Sequence, residues 1–431
     1  MKGRIKSLTL FFLLLFLPIV EAKDLTAIEK HIIRHISEQQ DAQLSLLEQL
    51  VNINSGTENT AGVHQVGELL KTRLEKLGFT THWQDIPPDI HRAGALIAER
   101  QGSKGKRLLL IGHLDTVFPS ASPFQKFTRQ GSYATGPGVI DDKGGDVVIL
   151  FALEALEKVH ALDDTTIRVV LSGDEEDAGK PTSITRQALL KAAQQSDIAL
   201  DFEWSFTQDT ATVARRGISS WTITTQGNET HSSAIFQKTA GDGAIFELSR
   251  ILNTMRTRLS DEKYLSFNPG LILAGTQVNA PKKTEGNAFG KINVIAKTAY
   301  ATGDLRFLTK EQKQKAEKKI ASIVNQHLPG TSASIHFQDG IPPMPPSSAN
   351  LNLLQQYSEI SDSLGHGKIK SLNPGVRGAG DISYVSSLVR GNLAGLGPIG
   401  TGAHSTKEKL DIHSLPIQTQ RAALLIYRLT R

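Results

Sequence analysis

Three short apolar runs, each closing on histidine or acid, constrain this chain more than any other feature. They are "RLLLIGHLD" (107–115), "IRVVLSGDEED" (167–177) and "IALDFE" (198–203). Unbroken apolar runs of this length suit strands buried on both faces of a sheet, and helical patterns at 62–77, 144–160 and 184–195 alternate with them. Further strands are expected near 79–84 and 93–99. The alternation predicts an α/β unit built on a mixed sheet with helices on both faces. In such sheets ligands bind beyond the carboxyl ends of the strands. His113, Asp174, Glu175, Glu176 and Glu203 all fall there.

The pattern changes after Arg215. A strand is expected at 219–227, a helix at 240–257, strands near 270–279 and 290–305, a helix at 310–327 and a strand at 332–337. That order describes a smaller α+β, ferredoxin-like unit. The proline-rich "DGIPPMPPSS" (339–348) reads as a hinge back to the first unit. The expected division is therefore 23–213 and 342–431 for one catalytic unit, interrupted by 214–341. At the front, 24–50 reads as one helix with Ile28, Ile32, Ile33 and Ile36 on a face. His31 and His35 stand one turn apart on it without an accompanying glutamate, and read as surface residues.

The 431 residues exceed what one hydrophobic core usually organises, in keeping with two units. Charge is mildly basic, +5 at neutral pH, and no Lys/Arg stripe interleaved with aromatics accompanies it. The Lys-rich run 310–319 reads as one solvated helix face, so no nucleic-acid partner is expected. Residues 1–22 have the order of a signal peptide: basic "MKGRIK", apolar "SLTLFFLLLFLPIV", then small Ala22. The apolar stretch is shorter than the roughly 20 residues that span a bilayer, so no stable membrane anchor is expected. The expected location is periplasmic or secreted. With no cysteine in the chain, no disulfide contributes.

Without thiolates, imidazole and carboxylate are the metal ligands available. In "GHLDTV" a two-residue period puts His113 and Asp115 on one face. His113 is then the candidate ligand, and Asp115 accepts its second ring N–H. Asp141 lies in the glycine-rich "GPGVIDDKGG". This is no dinucleotide loop, because a carboxylate replaces the third glycine and would repel a pyrophosphate. It suits a carboxylate that gives one oxygen to each of two cations, with Asp142 capping the next helix. The four acids of "DEED" (174–177) repel one another unless cations are near. Glu176 is read as a ligand and Glu175 as the general base toward the attacking water. Glu203 is preferred to Asp201 as a ligand because it lies nearer the strand's carboxyl end. His404 in "GTGAHSTKE" completes the set, with His413 as its competitor. The constellation reads as a two-metal hydrolase.

The motifs "GHLDTVF", "GPGVIDDKGG", "SGDEE" and "GAHSTKEKLDI" occur in an order and spacing that resemble one family. It is the di-zinc aminoacylase and carboxypeptidase G-type metallopeptidase family, which includes acetylornithine deacetylase, succinyl-diaminopimelate desuccinylase and several dipeptidases. The resemblance covers essentially the whole chain after the signal, and implies a zinc exopeptidase-like fold. It implies two Zn2+ per subunit, with His113, Asp141 and Glu203 on one and Asp141, Glu176 and His404 on the other. It implies Glu175 as base and Asp115 as supporter of His113. It implies that the inserted unit pairs two copies into a homodimer or closes as a lid. By the same resemblance, His231 in "THSS" stabilises the oxyanion, often in the partner's site. Asn293 holds the substrate carbonyl, Arg306 its carboxylate, and Gly378–Asp381 lines the pocket.

The expected activity is a secreted metallo-exopeptidase, glutamate carboxypeptidase-like, acting on small peptides with a free C-terminal carboxylate. Deacylation of an N-acyl amino acid is the alternative, and a catalytically silent binding protein of the same fold the third reading. Three departures from the family pattern bear on the substrate. Ala296 and Trp204 stand where proline is usual, and 281–289 is additional sequence.

Overall fold

The computed structural model describes residues 25–431; the signal expected over 1–22 lies outside the described residues. A six-stranded mixed sheet organises the larger part. Its spatial order is Thr80–Trp83, Ala95–Arg100, Thr165–Ser172, Lys104–His113, Ile198–Asp201, Gly391–Ala394. The last four run parallel, and the first two join antiparallel. From Lys104–His113 the chain crosses to one side, then returns to the other side as Ile198–Asp201. The strand order reverses there, and the crevice beyond His113 is the place where such sheets take ligands.

The apolar runs lack alternation because both faces are covered. Leu108 and Leu110 pack with Val147 and Leu424, from the helices Lys143–Lys158 and Ser414–Leu429. Leu109 and Ile111 point oppositely and pack with Leu189 and Ile382, from Gln187–Gln194 and Asp381–Val385. Among the described residues no helix is long and apolar enough to cross a membrane.

A second, antiparallel sheet has the order Ser266–Gly275, Thr298–Phe307, Gly217–Gln226, Ser332–Asp339. With helices Ala244–Leu259 and Lys310–Val324 the chain order is strand–helix–strand–strand–helix–strand, the ferredoxin-like arrangement. Trp221 and Ile223 bury one face of this sheet under the two helices, in a cluster of their own. The other face carries Ser220, Thr222, Thr302, Asp304 and Arg306.

Three elements differ from expectation, one of them the helix expected over 184–195, which is two, Thr182–Thr185 and Gln187–Gln194. The helix expected over 24–50 is two, Ala27–Glu38 and Gln40–Val51, broken at Gln39. Ile36 O, freed by the break, accepts from the Gln39 amide at 3.1 Å and from Gln43 Nε2 at 3.3 Å. The strand expected over 290–305 begins only at Thr298. The preceding residues turn back as a hairpin, Gln277–Lys282 against Glu285–Phe289. Lys283 Nζ fastens that hairpin to the polar face through Ser220 Oγ at 2.6 Å and Gln338 Oε1 at 2.5 Å.

Candidate metal centre

His113 is buried at its strand end, with Nε2 3.1 Å from Oδ1 of Asp141. His404 Nε2 lies 3.1 Å from the other oxygen, Oδ2, and 3.0 Å from Glu176 Oε2. Two imidazoles thus address opposite oxygens of one carboxylate. Ligand atoms of His113, Asp141 and Glu176 lie within 4.8 Å of one another. Glu176 Oε1 is buried with no hydrogen-bond partner, a cost that a cation would relieve. Nitrogen and oxygen donors around a shared carboxylate fit a pair of divalent cations. Protons balance the charges otherwise. Hydrogen bonds to Asp141 and Glu176 push the His404 pKa up to about 11. Burial opposes the charged form of His113, but Asp115 and Asp141 outweigh it and hold its pKa well above the usual value.

His404 has φ 61°, a left-handed backbone that costs a non-glycine residue about 1–2 kcal/mol. The turn that imposes it is closed by Ser405, whose N–H and Oγ both donate to Gly402 O, at 3.1 and 2.7 Å. His413, the competing histidine, is exposed like His404, but only His404 reaches Asp141 and Glu176.

Asp115 is fully buried and does more than orient a ring. Its Oδ1 is 3.4 Å from His113 Nδ1 and accepts from the Glu175 amide at 3.0 Å. Its Oδ2 accepts from Thr57 Oγ1 at 2.6 Å and from the Glu176 amide at 3.2 Å. One carboxylate therefore ties a ligand's strand to the loop that carries another ligand and the candidate base. Asp142 departs from expectation: it stands at the helix N-cap but caps no helix amide. Its Oδ2 turns to the strand end and accepts from the His113 amide at 3.3 Å.

Glu203 lines the same cleft as Asp141, Glu175, Gly378 and His404, a space of about 280 Å³, whereas Asp201 does not. Its carboxylate is held between two buried guanidiniums. Oε1 accepts from Arg215 Nη1 at 3.0 Å, and Oε2 from Arg377 Nη2 at 2.7 Å and Arg215 Nη2 at 3.3 Å. Arg377 also lies 5.3 Å from each ring centroid of the stacked pair Trp204 and Phe206, so Trp204 forms part of the cleft wall. Glu175 makes no side-chain hydrogen bond among the described residues. Burial first, then the nearby Glu203 carboxylate, raises its pKa well above the carboxylate range.

Sequence reasoning passed over four groups. Arg215 and Arg377 hold Glu203. Glu408 accepts from the amides of Gly138, Ile140 and Asp141 at 3.0–3.2 Å and so shapes the loop of the shared carboxylate. Arg186 is buried between Asp174 at 2.6 Å and Asp381 at 2.7 Å. Only Arg215 and Arg377 carried a usable signal, since each adjoins a segment already marked by glycines or a change of pattern.

The expected substrate residues divide into two places. Arg306 stands at the cleft end of the second sheet, where a Cβ added at Gly378 would lie 3.7 Å from its Nη1. His231 and Asn293 lie beyond the opposite end. The Ser232 amide donates to Asn293 O at 2.9 Å, and His231 bridges to Val294. Arg306 pairs with Ile218, and the strand runs on to Gln226, so these ends are about 27 Å apart at the usual strand rise. One copy of the chain does not bring His231 and Asn293 to its own cleft.

Residues 109–428 match the family described as Peptidase family M20/M25/M40. The chain is 28% identical over 403 residues to carboxypeptidase G2 of Pseudomonas sp. (strain RS-16), covering 90% of both sequences. It is 25% identical over 386 residues to succinyl-diaminopimelate desuccinylase of Coxiella burnetii (strain Dugway 5J108-111), covering 86% of this chain and 95% of the other. Its fold superimposes on aminopeptidase PepT of Bacillus cereus ATCC 10987 with a TM-score of 0.71 at 16% identity. That match covers 91% of this chain and 99% of the other.

Proposed function

Because the chain belongs to peptidase family M20/M25/M40, we propose that it is a secreted di-zinc exopeptidase. In this reading it cleaves the amide bond of small substrates bearing a free C-terminal carboxylate, in the manner of a glutamate carboxypeptidase. The observation that carries the reading is the placement of His113 and His404 on opposite oxygens of Asp141. His113, Asp141 and Glu203 would hold one cation, and Asp141, Glu176 and His404 the other. When bound, the cations supply Lewis-acid polarisation and lower the pKa of water.

The chain's own residues do the rest. The Glu175 carboxylate takes a proton from the attacking water and returns it to the leaving amine nitrogen. Asp115 fixes the amides of Glu175 and Glu176, so base and ligand keep their spacing. Arg306 receives the substrate carboxylate in a fork geometry.

His231 and Asn293 serve the reaction through a second copy, whose inserted unit (214–341) brings them to this cleft. Phe236, Ile245 and Phe246 support this pairing. They are exposed apolar residues of the same unit as His231, and the two phenylalanine rings lie 5.6 Å apart. Mutation of Glu175 tests the assignment. Glu175→Gln is expected to lower kcat on an N-acyl amino acid by about 100- to 10,000-fold while metal content stays at the wild-type level. Retained turnover would remove Glu175 from its role.

A further inference from the structure

Arg216 belongs to none of the expected motifs, yet it stands beside Arg306, near the cleft residue Gly378. Two residues ahead of Ile218, it falls on the polar face of the second sheet, because side chains alternate along extended chain. Arg306 pairs with Ile218 on one side and with Ser266 on the other. Arg216 Nη1 donates to Ser266 Oγ at 3.1 Å, so its side chain crosses over the strand of Arg306. Its Nη2 donates to Gly375 O at 2.9 Å, on the loop that continues to Gly378. Both guanidiniums thus stand against residues 375–378.

Their charges lack full compensation. Arg306 donates through Nε to Asp304 Oδ2 at 2.9 Å, and its two η-nitrogens make no hydrogen bond among the described residues. Arg216 Nε is buried without a partner. Burial, and then the like charge of Arg306, lower the Arg216 pKa, with Asp304 acting against them. Two guanidiniums facing one carboxylate leave room for one more anion, and forked donors match the planar geometry of a carboxylate.

We propose that Arg216 and Arg306 jointly bind the free carboxylate of the residue released on hydrolysis, which makes Arg216 a specificity-determining residue. This rests on the hydrolase reading above and names how that site recognises its substrate. The test uses the full mature chain loaded with metal, an N-acyl amino acid and the corresponding C-terminal amide. Arg216→Met is expected to raise KM for the acid about 10- to 100-fold with kcat little changed, and to leave kcat/KM for the amide at the wild-type value. Arg306→Met is expected to raise KM for the acid by a similar factor, and the double variant to be no worse than about either single variant.

An unchanged KM in Arg216→Met, or equal losses on acid and amide, overturns the proposal. Arg216→Lys, with melting compared to wild type, guards against a misfolded variant. It keeps the charge without the fork, and an intermediate KM is expected. Should the wild type cleave neither compound, the hydrolase reading fails. Calorimetric binding of the N-acyl acid against its amide then still decides the clamp, and equal binding of the two overturns it.

Discussion

At the scale of single residues, the site depends on carboxylates that do different work in similar surroundings. Asp141 is shared between two histidines, Glu175 is left unbonded toward the cleft, and Asp115 is consumed by four partners. Asp115→Ala would leave the amides of Glu175 and Glu176 and the Thr57 hydroxyl without their acceptor, while His113 Nδ1 keeps the Asp115 backbone carbonyl at 3.1 Å. Each such loss costs about 1–3 kcal/mol. The expected result is a clear drop in melting temperature together with a 10- to 100-fold loss of metal affinity, which a chelator competition would read. The places of Asp115 and Glu175 were legible in the sequence because each follows an apolar run, and that of Asp141 because it sits in a glycine-rich bend. Glu408 was not legible. It stands among charged residues in "STKEKL", and its partners lie 267–270 positions away. Arg215 was marked by the change of pattern beside it, but its partner Glu203 shows only in the fold.

At the scale of elements, the catalytic loop is fastened from behind. Arg186, at the start of Gln187–Gln194, joins Asp174 to Asp381, and Asp381 also accepts from Ser172 Oγ at 2.5 Å. The loop after one strand is thereby bound to the helix Asp381–Val385 beside Gly378. Removing one member of such a buried group leaves the others charged and unpaired. Arg186→Met is expected to destabilise the fold by about 3–5 kcal/mol, measured by denaturant unfolding. A change under about 1 kcal/mol would mean that the group is not ionised as drawn.

The central strands Lys104–His113, Thr165–Ser172 and Ile198–Asp201 were recognisable from their short unbroken apolar runs, whereas Gly391–Ala394 was not singled out. The break at Gln39 was not recognisable, because apolar periodicity continues through it with Ile36 before and Leu46 after. The hairpin 277–289 was not either. Its residues are almost wholly exposed, so they carry no burial pattern to read.

At the scale of the whole molecule, the candidate ligands come from both sides of the inserted residues. The large sheet is completed by Gly391–Ala394, after the second sheet is finished. His404 follows, so the crevice is closed by chain that returns from the smaller unit. If His231 serves the reaction as proposed, its separation from Arg306 calls for a second copy of the chain. Glu175→Gln and His231→Ala subunits, each inactive alone, are expected to regain about a quarter of wild-type activity after mixing and re-association. Half of the dimers are then mixed, each with one complete site. No recovery would confine the reaction to a single chain.

The central claim is that His113, Asp141, Glu176, Glu203 and His404 gather two cations. Calorimetric titration of metal-free protein with zinc, in two buffers of different protonation enthalpy, tests it most directly. The imidazole must shed its proton to bind metal. With its pKa raised to about 11, His404 holds that proton at neutral pH, so binding should release it and tighten as pH rises. The account predicts two equivalents with net proton release at pH 7. Less than one equivalent, or binding without proton release, would contradict it.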